Sequence, residues 1–168
     1  KQYDRFTVCL DCTNHGAIAF QYNLAADQSA LSSSGSWDLD DTVPASCQPT
    51  STASYRTPAV PRSVGTYDRG HLVPANHMDD SATLMEQTYV TTNALPQHSD
   101  FNQEGGARFR TEVISECYRD ITPLSIWGGV VWDGSHGDDF FLASHGVLTS
   151  DHWWKPIYRH DTDEYIAW

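Results

Sequence analysis

Four consecutive residues, Asp68, Arg69, Gly70 and His71, combine side chains that suit chemistry on a phosphate group. An imidazole accepts a proton near neutral pH, so His71 could take one from an attacking water molecule. The planar guanidinium of Arg69 matches the geometry of a phosphate. Gly70 lets the backbone turn sharply beside the imidazole. The same four residues would also suit a surface turn with a bystander histidine, so this run alone does not establish a site.

A second polar segment, residues 92–103, is rich in carboxamides. Asn93, Gln97 and Asn102 lie in it, at or just before the start of a predicted helix. Carboxamide oxygens suit hard cations such as Mg²⁺, which keeps most of its water and takes few protein ligands. Asparagine is also common in turns and at helix N-termini, so this segment is ambiguous by itself as well.

Taken together, the two segments resemble the DNA/RNA non-specific endonuclease family, which includes secreted bacterial nucleases and mitochondrial endonuclease G. The family signature Asp-Arg-Gly-His, followed by Leu-x-Pro-Ala, corresponds to residues 68–75 without a gap. The family's Thr/Ser-Asn-x-x-Pro-Gln segment corresponds to residues 92–97, and its metal-binding asparagine to Asn102, nine residues after Asn93. Further similarity lies in residues 126–132, 154–158 and 166–168, so the resemblance covers roughly residues 55–168 and reaches the N-terminal third poorly.

This resemblance implies an α+β fold of the ββα-metal (His-Me finger) type, with a central antiparallel or mixed sheet and a metal-site helix. It implies that His71 ends the first strand of a hairpin and acts as the general base. Asn102 would bind Mg²⁺ from the following helix, with water supplying most other ligands and Mn²⁺ or Ca²⁺ as substitutes. Asn93 and Gln97 would hold the loop and the site in register. Arg69 would stabilise charge on the phosphate, and Asp68 would orient the surroundings of the metal.

The helix after Asn102 departs from the family pattern. The family usually has a glutamate eight residues after the metal asparagine, whereas Glu112 is ten residues away. A two-residue insertion at Gly105 and Gly106 would restore the alignment. Glu112 is therefore our candidate for the supporting carboxylate, and Glu104 is the weaker one.

The family's further arginine, about one turn beyond that glutamate, has no clear match because Glu116 stands there. Three arginines could supply a phosphate contact in its place: Arg108, Arg110 and Arg119. Gln97 is a further candidate for binding the substrate. A second histidine ligand, His77 or His98, is less favoured because Mg²⁺ prefers oxygen.

The net charge of −12 is unusual for a protein that binds nucleic acid. Such proteins are typically basic, because neutralisation of phosphates drives their affinity. Most arginines, however, lie between positions 56 and 119, and the acidic excess is heaviest in the C-terminal third. We therefore expect weak, non-specific affinity for the nucleic-acid backbone and a strong dependence on ionic conditions.

The four cysteines, Cys9, Cys12, Cys47 and Cys117, permit two disulfides in three pairings. Disulfides would indicate a secreted mature chain, with the periplasm or an organelle as alternatives. The rival interpretation is half a zinc site at Cys9 and Cys12, but the chain lacks a second close pair. No apolar run reaches the roughly 18 residues of a membrane span, and we expect no membrane partner.

Apolar and polar patterning predicts one α+β domain over residues 1–168, with a long surface loop at about 27–57 and the ββα-metal core at about 64–120. Strands are predicted at 15–24, 89–92, 125–132, 140–147 and 153–159, and from 165 onwards. A short helix is predicted at 79–88, and a longer one at about 101–118. The apolar stripe of the longer helix would be Phe109, Val113, Ile114 and Cys117.

We therefore expect a Mg²⁺-dependent endonuclease that hydrolyses DNA and RNA by in-line attack of water, recognises the backbone and leaves 5′-phosphates. A rival within the hydrolases is a nucleotide pyrophosphatase or phosphodiesterase on the same scaffold. A rival of another class is a non-catalytic binding module. A protein inhibitor or a second chain is a further partner that the sequence leaves open.

Overall fold

The computed structural model describes residues 1–29, 31–32 and 35–168, and these residues form eight strands and four α-helices. The predicted loop at 27–57 includes Ala30, Ser33 and Ser34, which lie outside the described residues. In chain order the strands are β1 (Phe6–Asp11), β2 (Gly16–Leu24), β3 (Tyr67–His71), β4 (Ala94–His98), β5 (Leu124–Val131), β6 (His152–Trp154), β7 (Pro156–Arg159) and β8 (Glu164–Ala167). The helices are α1 (Ala82–Glu86), α2 (Ser99–Asn102), α3 (Ala107–Arg119) and α4 (Leu142–His145).

Six strands form the larger sheet, in the order β1-β2-β5-β7-β8, with β6 also paired to β5. All of its pairings are antiparallel. β5 is buried at most positions, as its nearly continuous apolar sequence predicts for an interior strand. β2 contacts β4, which belongs to the second polar segment, and β5 contacts α3, which follows that segment. The larger sheet therefore supports both elements. The predicted α+β class with an antiparallel sheet is confirmed.

The remaining two strands, β3 and β4, form an antiparallel hairpin that pairs Asp68 with Gln97 and His71 with Ala94. Successive side chains of a strand point to opposite faces. Arg69 and His71 therefore share one face of β3, and Asp68 shares the other with Gly70. A Cβ at position 70 would collide with the buried side chain of Gln97, which would have to move.

Helix α3 buries a polar stripe, so the predicted apolar stripe is wrong at Val113 and Cys117. Phe109 and Ile114 are half-buried, and Ile114 packs against the core. The fully buried residues of α3 are Thr111, Ser115 and Arg119. Val113 is 43% exposed, and Cys117 is also exposed. The buried stripe is stable because its polar groups are hydrogen-bonded: Arg119 donates to the carbonyl oxygens of Ala25 and Asn76.

Four further predictions differ from the structure. The strand predicted at 140–147 is wrong: this segment contains α4, which ends at Gly146 in the left-handed conformation. The segment 89–92 leads into a 3₁₀ turn, Thr91–Asn93, and the strand begins only at Ala94. The helix predicted at 101–118 is broken into α2 and α3, and the strand at 153–159 is divided into β6 and β7 at Lys155. The strands at 15–24 and 125–132 are confirmed as β2 and β5.

Cys12 and Cys47 form a disulfide that joins the turn between β1 and β2 to the long loop, across a separation of 35 residues. Cys9 and Cys117 are free and exposed. One predicted disulfide is therefore present, and Cys12 is not available for a zinc site. Within the described residues, no helix has the length and apolar character needed to cross a membrane.

Replacing Cys12 or Cys47 by serine should lower the free energy of unfolding by about 2–4 kcal/mol, because the open loop gains conformational freedom in the unfolded chain. Urea denaturation of the oxidised protein would measure the loss. Cys9→Ser is the matched control and should change the unfolding free energy little. An equal loss in Cys9→Ser would show that the pairing is different.

Candidate active site

His71 is the last residue of β3, and its half-buried ring lies between two aromatic side chains. The ring centroid of Trp37 is 4.7 Å away, and Tyr89 meets the imidazole edge-on at 5.0 Å. Nε2 of His71 is buried and has no hydrogen-bond partner among the described residues. Burial lowers the pKa of His71 to about 3, with further lowering by the positive charges of Arg108 and Arg69. The imidazole is therefore neutral at physiological pH and can accept a proton.

Asn102 is the last residue of α2, and a hydrogen bond to β3 fixes its side chain. Its Nδ2 donates to Oδ2 of Asp68 at 2.9 Å, and Nε2 of Gln103 donates to the same oxygen at 3.0 Å. These bonds to Asp68 assign the amide nitrogen and leave Oδ1 on the other side. Oδ1 of Asn102 is buried and has no hydrogen-bond partner among the described residues. A buried acceptor without a partner costs about 1–3 kcal/mol, so this oxygen is suited to a ligand.

The donor set around Asn102 fits Mg²⁺ better than it fits a transition metal. The described residues contain no group of three or more His, Cys, Asp or Glu side chains that could hold a metal ion. One amide oxygen with water completing the shell is a set that Mg²⁺ accepts, because this ion retains several waters. His77 and His98 are already engaged: His77 Nδ1 lies 2.8 Å from the hydroxyl of Tyr22, and His98 Nε2 lies 2.6 Å from the carbonyl oxygen of Val64.

Arg108 joins helix α3 to the end of β3. Its Nε and Nη2 donate to the carbonyl oxygen of His71 at 3.0 and 2.7 Å. Nη2 also lies 2.6 Å from Oε1 of Glu112, one helical turn further along α3. Glu112 and Arg108 both line a cleft that includes His71 and Tyr89. The structure thus brings our candidate glutamate to the general-base candidate.

The other arginines differ in their position relative to His71. Arg69 lies on the same face of β3 as His71. Its Nη1 donates to the carbonyl oxygen of Thr52 at 2.6 Å, and its guanidinium lies over the ring of Trp37. Arg110 is exposed and has no side-chain partner among the described residues. Arg119 is buried against backbone carbonyls, so it is not part of this site.

Asn93 and Gln97 lie behind the site and are both buried. The Asn93 side chain accepts from the amide of Val73 and donates to the carbonyls of Val73 and Thr88, each at 3.0 Å. These bonds fix the chain just after His71. Gln97 is 1% exposed and packs against Gly70. Neither residue lines the cleft beside His71, and the amide atoms of Gln97 have no hydrogen-bond partner among the described residues.

Two residues beside His71 did not emerge from the sequence: Trp37 and Tyr89. Tyr89 precedes the second motif, and Trp37 lies in the long loop of the N-terminal third. No spacing relates either residue to His71, since long-range folding brings them together. The abundance of tryptophan was the only signal, and it indicates a core as readily as a site.

Comparison with known proteins identifies the family and the fold. The model of the DNA/RNA non-specific endonuclease family matches residues 1–167, including the N-terminal third. A crystal structure of the EndoG/EndoGI complex, which concerns the mechanism of EndoG inhibition, is similar with a TM-score of 0.75 and 17% sequence identity. That similarity covers 99% of this chain and 70% of the other, and at this identity it shows the fold alone. No curated protein sequence matches this chain significantly.

The family match extends over nearly the whole chain, and the fold agrees with that of a structurally characterised nuclease. Within the hairpin and the helix after it, Asn102 of the second motif is hydrogen-bonded to Asp68 of the first, and His71 of the first motif lines the cleft with Arg108 and Glu112. The chain therefore belongs to the DNA/RNA non-specific endonuclease family, and nucleic acid is its substrate class.

Proposed function

We propose that this protein is a Mg²⁺-dependent endonuclease that hydrolyses both DNA and RNA, with His71 as general base and Asn102 as the metal ligand. The observation that carries the proposal is that His71 Nε2 on β3 and Asn102 Oδ1 on α2 are both buried without a hydrogen-bond partner among the described residues, as are the amide atoms of Gln97 on β4. The first is suited to accept a proton from water. The second is suited to a hard cation.

The roles follow from the contacts of each side chain. His71 accepts the proton of the attacking water, and Arg108 fixes the backbone on which the imidazole stands. Asp68 orients the amide of Asn102. Mg²⁺ bound at this amide and by water would supply positive charge that stabilises the transition state of the phosphate.

The low proton affinity of His71 is compatible with this role. Arg108 and Arg69 both disfavour the imidazolium, so they lower the pKa of His71 in addition to the effect of burial. A phosphodiester in the cleft carries a negative charge that offsets these arginines and raises the proton affinity of the ring. His71 is thus neutral before the substrate arrives and becomes a better base beside it.

Recognition of the nucleic-acid backbone accounts for activity on both DNA and RNA, whose sugars differ only at the 2′ position. The attacking group is water, so no ribose 2′-hydroxyl is needed. Arg69 and the exposed Arg110 are the candidates for phosphate contacts, and 5′-phosphate products follow from the family resemblance. The disulfide supports an exported enzyme. The EndoG structure is a complex with EndoGI, which motivates a protein inhibitor as a possible partner of this chain.

Replacing His71 by alanine should reduce kcat on plasmid DNA in Mg²⁺ by about 10²–10⁴-fold, the usual contribution of a general base. His136→Ala is the control, because that exposed histidine lies outside the cleft and should leave kcat unchanged. Circular dichroism would establish that both variants fold. Near wild-type activity of His71→Ala would refute the assignment. Preferential cleavage of a small chromogenic diester over plasmid DNA would favour the phosphodiesterase instead.

Replacing Asn102 by alanine should weaken Mg²⁺ binding by more than about 10-fold, because the only protein ligand is lost. Isothermal titration with MgCl₂ in the absence of substrate measures this directly. Asn14→Ala is a matched control, since Asn14 is bonded to Asp11 in the turn after β1, outside the hairpin. Equal affinities in wild type and Asn102→Ala would contradict the metal site.

The acid limb of the pH profile should lie well below pH 6.5. The pKa of His71 is about 3 in the free protein, so the base stays neutral as the pH falls from 8 to about 5 and is lost only on approach to pH 3. The measurement is kcat/KM against pH at saturating Mg²⁺, with folding followed in parallel. An acid limb near pH 6.5 would show that the imidazole is solvated in the working enzyme.

A further inference from the structure

We propose that Trp37 is a positioning residue of the active site, whose indole ring holds the imidazole of His71 and the guanidinium of Arg69 in one fixed arrangement. The inference rests on the proposed function, because it gives Trp37 its role through the general base and the phosphate-binding arginine. Trp37 itself touches neither the reacting water nor the phosphate in this assignment.

The indole contacts both groups. Its ring centroid lies 4.7 Å from that of His71 at an interplanar angle of 44°, and Cζ of Arg69 lies 5.1 Å from it. Arg69 and His71 stand on the same face of β3, two residues apart, so one large ring spans both. A guanidinium over an indole is attracted by the ring electrons, and the attraction strengthens as water is excluded.

The backbone of this segment is anchored independently of the site. The amide of Asp38 donates to the carbonyl of Tyr89, and the amide of Thr91 donates to the carbonyl of Asp38, both at 3.0 Å. These bonds form a bridge between Asp38 and Val90. The ring of Tyr89 also meets Trp37 edge-on at 5.3 Å and contacts His71. The position of the indole is therefore fixed by the backbone hydrogen bonds of the neighbouring Asp38 and by the ring of Tyr89.

Arg69 is held from two sides by this arrangement. Its Nη1 donates to the carbonyl of Thr52, and its Cζ lies over the ring of Trp37. The remaining N–H groups of the fork are left for a ligand. A guanidinium with fewer accessible orientations loses less entropy when it binds a phosphate, so Trp37 should favour substrate binding and the transition state alike.

His71 is shielded by the same ring. The charged and titratable groups around the imidazole are Arg69 on its own strand, Arg108 and Glu112 on α3, Tyr89 beside it, and Lys155, which lines a cavity together with His71. Burial is the largest cause of the low pKa of His71, and the indole covers part of the ring. Loss of the indole would admit water and allow the imidazole to change its orientation.

Three variants separate the two contacts. Trp37→Ala removes both, Trp37→Leu keeps apolar cover but loses the aromatic face under Arg69, and Trp37→Phe keeps both in a smaller form. The pKa of His71 is measured by NMR titration without Mg²⁺ or substrate, and kcat and KM are measured on DNA. Trp127→Ala, a half-exposed tryptophan of β5 that does not line the His71 cleft, is the control.

Trp37→Ala should raise the pKa of His71 toward 6.5 and lower kcat by about 10²-fold, the effect of a small misplacement of a catalytic group. Trp37→Leu should shift the pKa less and raise KM through Arg69, and Trp37→Phe should restore most of both properties. An unshifted His71 pKa with kcat and KM within about twofold of wild type in Trp37→Ala would overturn the proposal. Should Trp37→Ala fail to fold, wild-type values of the pKa, kcat and KM in Trp37→Leu would overturn it equally.

The two proposals fail in different ways. A shifted His71 pKa in Trp37→Ala, together with full activity of His71→Ala, would refute the general base and show that the aromatic contact does not serve catalysis. An inactive His71→Ala together with an unaffected Trp37→Ala would refute only the role of Trp37. The NMR titration needs no nuclease activity, so it reports on the contact in either case.

Discussion

The carboxylate of Asp68 accepts a hydrogen bond from the amide of Asn102, and this single contact fastens the end of α2 to the first strand of the hairpin. His71 lies three residues further along that strand. The strand is rigidly paired, so the bond sets the position of the amide oxygen of Asn102 relative to the imidazole. Without it, no side-chain hydrogen bond among the described residues would join Asn102 to β3, the strand that carries His71. Arg108 adds a second attachment, from α3 to the carbonyl of His71.

An acidic protein can bind nucleic acid if its few positive charges lie where they contact the phosphates. Four of the eight arginines are engaged in the fold: Arg108 and Arg119 bind carbonyls and glutamates, and Arg5 and Arg159 pair with aspartates. Arg69 lies on the same face of β3 as His71 and uses only Nη1 in a hydrogen bond among the described residues, which leaves its other donors for a ligand. Electrostatic attraction at long range is therefore weak or repulsive at a net charge of −12, and binding should depend on close contacts and on the divalent cation.

The sequence predicted the parts of the site that are local. The run from Asp68 to His71, and the step from Asn93 to Asn102, carry their chemistry in residue type and spacing. Strands β2 and β5 were predictable because apolar residues dominate them. Trp37 was not, because its neighbours are distant in sequence and are set by the pairing of Asp38 with Val90. The buried face of α3 was not predictable either. Its polar residues are buried because Arg119 forms hydrogen bonds to backbone carbonyls, and no apolar pattern marks this face in the sequence.

The two glycines after Asn102 explain why the supporting glutamate lies ten residues away. Gly105 has a φ of +88°, and a Cβ at Gly106 would lie 2.2 Å from the carbonyl oxygen of Phe101, so the chain turns tightly and the helix restarts at Ala107. The position of this restart determines which residues of α3 face the hairpin. The row Arg108, Glu112 and Glu116 then faces the hairpin and the loop after it, where Glu116 lies 3.0 Å from His77. Arg108 thereby places a positive charge beside His71, and Glu116 contacts His77 in the interior.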